Sequence, residues 1–144
     1  MPKISLPHLR VCSKASCLGN PGPAAIAYLF YDAGARELNS ATKFIGESTN
    51  NAAGYIALQN ALEQARENYD SDSTTIFLND QLMINQLTRR IGFHKEHLAD
   101  LAEGIWDLER SFPFLEYHFS NKSWPWVERA RNLAREQLRQ ATGR

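Results

Sequence analysis

The run Gly19-Asn20-Pro21-Gly22-Pro23 constrains this chain more than any other segment of it. Its prolines hold φ at about −65° and remove backbone donors, while its glycines accept geometries that other residues resist. Such a run reverses the chain and is foreign to the interior of a helix or a central strand. Leu9–Cys12 before it and Ala24–Tyr31 after it are apolar runs of strand type, and Glu37–Ile45 supplies a third alternating run after Asp32-Ala33-Gly34. Three consecutive antiparallel strands are therefore the expected start. No Gly-Lys-Ser/Thr follows the turn, so it reads as architecture rather than as a phosphate cradle.

Helical spacing takes over after the third strand. Ser48 or Thr49 caps a helix running to about Asn68, in which Tyr55, Leu58, Leu62 and Ala65 form one buried face. Thr74–Leu78 returns to strand. A short helix, about Gln81–Arg90, precedes a longer one, about Lys95–Arg110, striped by Leu98, Leu101, Ile105 and Leu108. Pro113 breaks the chain, Phe114–Phe119 forms the last strand, and Trp126–Gln140 the last helix, with Trp124-Pro125 beside its start. The order β-β-β-α-β-α-α-β-α predicts an α/β fold with a five-stranded mixed sheet flanked by helices. The 144 residues suit a single domain over 1–144 with its core at about 9–140.

Sixteen Lys plus Arg balance sixteen Asp plus Glu, so the chain lacks the overall positive excess that by itself announces a nucleic-acid binder. The charge is unevenly placed. Residues 128–144 carry Arg129, Arg131, Arg135, Arg139 and Arg144 against Glu128 and Glu136, a net of +3; residues 94–118 carry six acids against Lys95 and Arg110, a net of −4 with histidines neutral. The basic last helix reads either as a solvated face or as a phosphate contact. Cys12 and Cys17 are the only cysteines, and no apolar stretch reaches the roughly 18 residues of a membrane span. A reduced, cytoplasmic setting with no membrane partner is expected. His8, His94, His97 and His118 are scattered, so no His/Cys metal site is expected and the cysteines read as core.

Three motifs stand in order along these elements. Gly19-Asn20-Pro21-Gly22-Pro23 follows the first strand, Thr49-Asn50-Asn51-Ala52-Ala53-Gly54-Tyr55-Ile56-Ala57-Leu58 opens the first helix, and Asn79-Asp80-Gln81-Leu82-Met83-Ile84-Asn85-Gln86-Leu87 follows the fourth strand. Together they resemble the ribonuclease H family, especially its small members without the basic handle helix, over nearly all the chain from Leu9 to Arg139. The resemblance implies a ribonuclease H-like fold. For the family it implies cleavage of the RNA strand of RNA/DNA hybrids with two Mg²⁺ ions held by converging carboxylates, since Mg²⁺ prefers hard oxygen ligands.

The positions matching those carboxylates are Lys14, Gly54, Asn79 and Arg131. An ammonium repels a divalent ion, glycine offers no side chain, an amide oxygen carries no charge, and a guanidinium repels again. Arg131 is the least secure match, because Trp124-Pro125-Trp126 departs from the family's approach to that helix. Displaced acids offer one way to rebuild a site, with Asp80 next to Asn79 and with Asp32, Asp72, Glu116 and Glu128 elsewhere. They share no motif that makes them converge and read otherwise as solvated or capping residues. His118 is comparable to a mobile family histidine, yet it falls before the expected loop and reads as a strand-edge residue.

Gly54 inside a helix points to close helix-to-strand packing, or to room for an altered cleft. Lys14, Asn50, Asn51, Asn79, Gln81 and Arg131 are the candidate nucleic-acid contacts, each with a local structural alternative: ion pairing, capping or helix solvation. Trp124 and Trp126 are candidates for aromatic docking, against burial of the last helix on the sheet. Tyr28 and Phe30 alternate in the second strand and Tyr31 and Phe44 add apolar area; whichever set faces outward offers a homodimer surface, against a sheet packed on its helices. Two functions follow. The first is a pseudoenzyme, a catalytically inactive domain that binds an RNA/DNA hybrid or other nucleic acid, or a protein partner, with no metal and no cofactor. The alternative is a metal-dependent hybrid endoribonuclease built on displaced acids.

Overall fold

The computed structural model describes residues 2–143. Arg144, counted above among the basic residues, lies outside the described residues. The elements are β1 (Ile4–Cys17), β2 (Gly22–Tyr31), β3 (Glu37–Ser48), α1 (Asn50–Asn68), β4 (Tyr69–Leu78), α2 (Gln81–Leu87), α3 (Glu96–Glu109), β5 (Leu115–Phe119) and α4 (Pro125–Thr142). They form one five-stranded sheet in the order β3-β2-β1-β4-β5. The first three strands are antiparallel neighbours, whereas β4 runs parallel to both β1 and β5. Element order and mixed sheet are those expected from the sequence.

The turn between β1 and β2 is closed by the Leu18 amide donating to the Pro23 carbonyl at 2.8 Å. The Asn20–Pro21 peptide is cis and Gly19 has φ +98°. At Gly22 a Cβ would come within 1.9 Å of the Leu18 carbonyl oxygen, so only glycine fits. The turn also braces the next layer: Asn20 Oδ1 accepts from the Asn50 amide at 2.9 Å, at the first residue of α1.

Strand alternation divides the core between two faces. Leu9 and Val11 of β1 and Ile26, Tyr28 and Phe30 of β2 pack with Tyr55, Leu58 and Leu62 of α1 and Leu98 and Ile105 of α3. Cys12, Leu29 and Tyr31 point the other way and pack with Val127 and Ala130 of α4. β2 is buried throughout Ala24–Tyr31 because helices cover both its faces. The outward Tyr28/Phe30 surface considered for a dimer is thus closed beneath α1. At the sheet edge, Phe44 on β3 remains exposed.

Two strands are longer than their apolar runs. β1 starts at Ile4 and β4 at Tyr69, and these polar beginnings pair in parallel from Ile4↔Tyr69 to His8↔Ser73. His8 ties them, its Nδ1 lying 2.6 Å from Ser73 Oγ and its Nε2 3.0 Å from Thr75 Oγ1. The ladder overrides the loop-like composition of Asp70-Ser71-Asp72-Ser73. α2 stops at Leu87 rather than Arg90, with Arg89 at φ 63° and the Arg90 amide bonded back to the Asn85 carbonyl. β5 begins at Leu115, because Phe114 has φ 50° and is exposed. α4 starts one residue early, with Pro125 in its first turn, and ends against Gly143 at φ 73°. No helix among the described residues is long and apolar enough to cross a membrane.

Candidate functional site

Cys12 and Phe77 are partners in the parallel β1–β4 ladder and belong to the cluster under α4. Two residues further along, period-two alternation places Lys14, late in β1, and Asn79, just past the end of β4, on that same face. Lys14 Nζ donates to Asn79 Oδ1 at 3.4 Å, and Asn79 Nδ2 donates to the Ser120 carbonyl at 2.8 Å. The pair borders a cleft of about 190 Å³ whose lining includes Lys14, Asn50, Asn51, Gly54, Asn79 and Asp80. The start of α1 closes one side. Thr49 Oγ1 caps it through the Ala52 amide, as expected, and its first residues Asn50 and Asn51 are exposed at the cleft.

Gly54 answers the choice posed by its sequence position. A Cβ there would meet only Met83 Sδ, at 3.8 Å, which is ordinary contact. Close backbone packing is therefore not its reason, and the expectation of it is corrected: the missing side chain leaves room in the cleft.

Arg131 approaches from α4. It does not line the cleft itself, but its charge and that of Arg135 act on Lys14. Burial, more than these two neighbours, lowers the Lys14 pKa, and Asp80 opposes the shift. Arg131 donates through Nη1 to the Lys122 carbonyl at 3.2 Å, and Nη2 lies 3.8 Å from Glu128. Its Nε is buried with no hydrogen-bond partner. Asn79 and Arg131 thus both hold the β5–α4 connection, one at Ser120 and the other at Lys122.

The acids do not gather. Asp80 lines the cleft, yet it serves there as the N-cap of α2, its Oδ1 accepting from the Met83 amide at 3.0 Å. Asp32 bonds to the Gly34 and Arg36 amides in a turn, and Asp72 borders another depression with Asp70 and Pro7. Glu128 pairs with Arg131, and Glu116 is exposed on β5. Among the described residues no three His, Cys, Asp or Glu side chains are grouped to hold a metal ion. The Mg²⁺ pair implied by the resemblance does not fit these side chains: the Lys14 ammonium lines the cleft with the Arg131 charge acting on it from outside, and the Asn79 amide oxygen is turned to Lys14.

The other candidates divide. Gln81 bonds along α2 to Asn85 Oδ1 at 3.0 Å and is not part of the cleft lining. Trp126 is packed, stacking on Tyr31 with ring centroids 4.0 Å apart and edge-on to Phe77. Trp124 is exposed and edge-on to Trp126. His118 is exposed on β5 against Phe77, a strand-edge placement. Cys12 is buried, which pushes its thiol up to about 12, while Cys17 is only half-buried. Arg135 enters the neighbourhood of Lys14, although its sequence position marked it only as one of several basic residues on the last helix. Its spacing of four from Arg131 was the available signal.

Fold and cleft together define a ribonuclease H-like α/β protein. More particularly, the chain is similar to the type 1 ribonucleases H. The ribonuclease H1 of the halophilic archaeon Halobacterium salinarum NRC-1 matches with a TM-score of 0.87 and 27% identity, over 92% of this chain and 98% of that one. The N-terminal ribonuclease H domain of a Mycobacterium tuberculosis protein matches with a TM-score of 0.87 and 22% identity, over 94% and 96%. LC11-RNase H1, solved in complex with an RNA/DNA hybrid, matches with a TM-score of 0.85 and 25% identity, over 93% and 99%. No family model matches the sequence, and no curated protein does.

Proposed function

We propose that this chain is a ribonuclease H-like domain that binds nucleic acid in the Lys14–Asn79 cleft without metal and without cleaving it. The observation that carries the reading is the Lys14 ammonium itself. It stands half-buried late in β1, bonded to a neutral amide, with Arg131 and Arg135 nearby. The positions matching the family's metal ligands, Lys14, Gly54, Asn79 and Arg131, then form a degenerate site that has exchanged anionic charge for cationic. Where carboxylates need metal ions before a phosphate can approach, cations attract the phosphate directly. The resemblance to ribonucleases H1, one of them solved with an RNA/DNA hybrid, supports a hybrid as the first ligand to test.

Asn50 and Asn51 stand across the cleft from Lys14 as neutral contacts to the sugar-phosphate backbone. The test is binding and cleavage of an RNA/DNA hybrid by the purified protein in EDTA, Mg²⁺ and Mn²⁺. Equal, salt-sensitive binding in all three with no cleavage is expected. Metal-dependent cleavage sinks the reading in favour of displaced acids, and absence of both activities redirects the search to a protein partner.

A further inference from the structure

We propose a second nucleic-acid contact outside the cleft: a groove between α4 and the end of β1 that takes a single-stranded extension of the nucleic acid held at Lys14. The inference rests on the cleft reading and adds the form of ligand that distinguishes this chain.

The buried face of α4 is Val127, Ala130, Ala134 and Leu138. Arg131, Arg135 and Arg139 each directly follow one of the last three, so they form one ridge along one flank of that face, rising about 6 Å from one arginine to the next. Arg129 is engaged elsewhere, forked onto Glu37 of β3 through Nε and Nη2 at 2.6 and 2.9 Å. The ridge instead follows β1. Its first two members act on Lys14, and its last two line a groove with Ser16, Cys17 and Leu18. Lys14 and Ser16 lie on one face of β1 by alternation, so cleft and groove are consecutive along a single strand.

The groove sets cations beside a small apolar edge. Leu18, half-exposed, supplies apolar surface above the buried Leu138, and Arg135 and Arg139, both exposed, supply cations for successive phosphates. Glu128 and Glu136 pair with Arg131 and Arg139 respectively, which moderates the ends of the ridge. Arg135, at its centre, has no carboxylate within 4.0 Å among the described residues. A duplex spreads its phosphates on both sides of its axis, whereas a flexible single strand can run its backbone along the line of arginines and turn its bases toward Leu18.

The experiment compares a blunt RNA/DNA hybrid with the same hybrid carrying a single-stranded extension, placed at each end in turn. Binding is followed by fluorescence anisotropy in EDTA over a salt series. The wild-type protein is expected to bind one extended form more tightly and with a steeper salt dependence. Arg135→Gln with Arg139→Gln should erase that gain, and Arg139→Gln alone, away from Lys14, should reduce it and leave blunt-hybrid binding in place. The log–log salt slope should become shallower by about 0.7 for each phosphate that is no longer neutralised. Arg110→Gln, an exposed change at the end of α3, should alter neither. An extension that adds no affinity, or a gain that survives the double substitution, overturns the groove while leaving the cleft reading intact. Blunt hybrid left unbound while the extended form binds through Arg135 and Arg139 overturns the cleft reading and keeps the groove. No binding of either form overturns both.

Discussion

Lys14 reaches Asn79 across the seam between β1 and β4, Nζ to Oδ1 at 3.4 Å, and Asn79 in turn donates to the Ser120 carbonyl through its amide nitrogen. The pair gives the ammonium a neutral partner and anchors the connection into α4. It does not remove the energetic disadvantage of the charge. Burial disfavours the ammonium, and Arg131 and Arg135 add repulsion.

Lys14→Met should therefore raise thermal stability while weakening nucleic-acid binding. In the folded chain Lys14 releases its proton at lower pH than a free lysine. Between the two values the unfolded chain holds more protons, so the wild-type protein gains stability as pH rises across that window, and the charged lysine is unfavourable below it. Affinity for a phosphate backbone moves oppositely, falling as the ammonium is lost. Melting curves and hybrid titrations at neutral and alkaline pH check both signs; a Lys14→Met protein that melts lower and binds normally contradicts the argument.

Asn79→Asp tests the anchor. The carboxylate still accepts from Lys14, now with charge assistance, but it can no longer donate to the Ser120 carbonyl and sets negative charge against that oxygen. Hydrogen exchange should quicken at Ser123 and Trp124, whose amides bond within the same loop, to Asn121 Oδ1 at 3.0 Å and the Asn121 carbonyl at 3.1 Å. Exchange in the core of β4 should stay slow. Unchanged protection in the loop would show that Asn79 does not hold it.

Gly54→Ala should stabilise the protein by about 1 kcal/mol, the helix-interior difference between the two residues. The added methyl finds only Met83 Sδ, at 3.8 Å. Urea unfolding reads the gain, and hybrid binding in EDTA should be unchanged because alanine adds no charge. A loss of stability would mean that α1 needs the glycine for packing.

The fold was legible where one residue type answers one physical demand. Gly22 fits only as glycine, Thr49 caps α1, and Tyr55, Leu58 and Leu62 turn one helical face to the sheet. The polar halves of β1 and β4 were not legible, because residues such as His8 and Ser73 become strand through each other rather than through propensity. In the site, the convergence of Lys14, Asn50, Asn51, Gly54 and Asn79 followed from motif order. Gln81 lies outside the cleft lining with its side chain bonded to Asn85, an arrangement that its helix position did not reveal. Arg135 was legible only as one basic residue of the last helix, because its nearness to Lys14 depends on how α4 is rotated over β1, which no local pattern specifies.

If the cleft is a degenerate metal site, returning its charges should return metal binding. Lys14→Asp, Gly54→Glu, Asn79→Asp and Arg131→Asp together replace two cations with carboxylates and add two more. Gly54 has room for the first atom of its new side chain, and the strand ends carrying Lys14 and Asn79 are already adjacent. The combined variant should be less stable than wild type without divalent ions, because its carboxylates repel. Mg²⁺ or Mn²⁺ should then raise its melting temperature, by an amount equivalent to about 2.7 kcal/mol at a hundredfold excess over the dissociation constant. The wild-type protein should show no such rise, since Lys14 and Arg131 repel the ion. A metal-induced shift in the wild-type protein would mean that its displaced acids, Asp80 foremost, assemble a site after all, and hybrid cleavage by the combined variant but not by the wild-type protein would show that carboxylates at these four positions suffice to make the cleft cut.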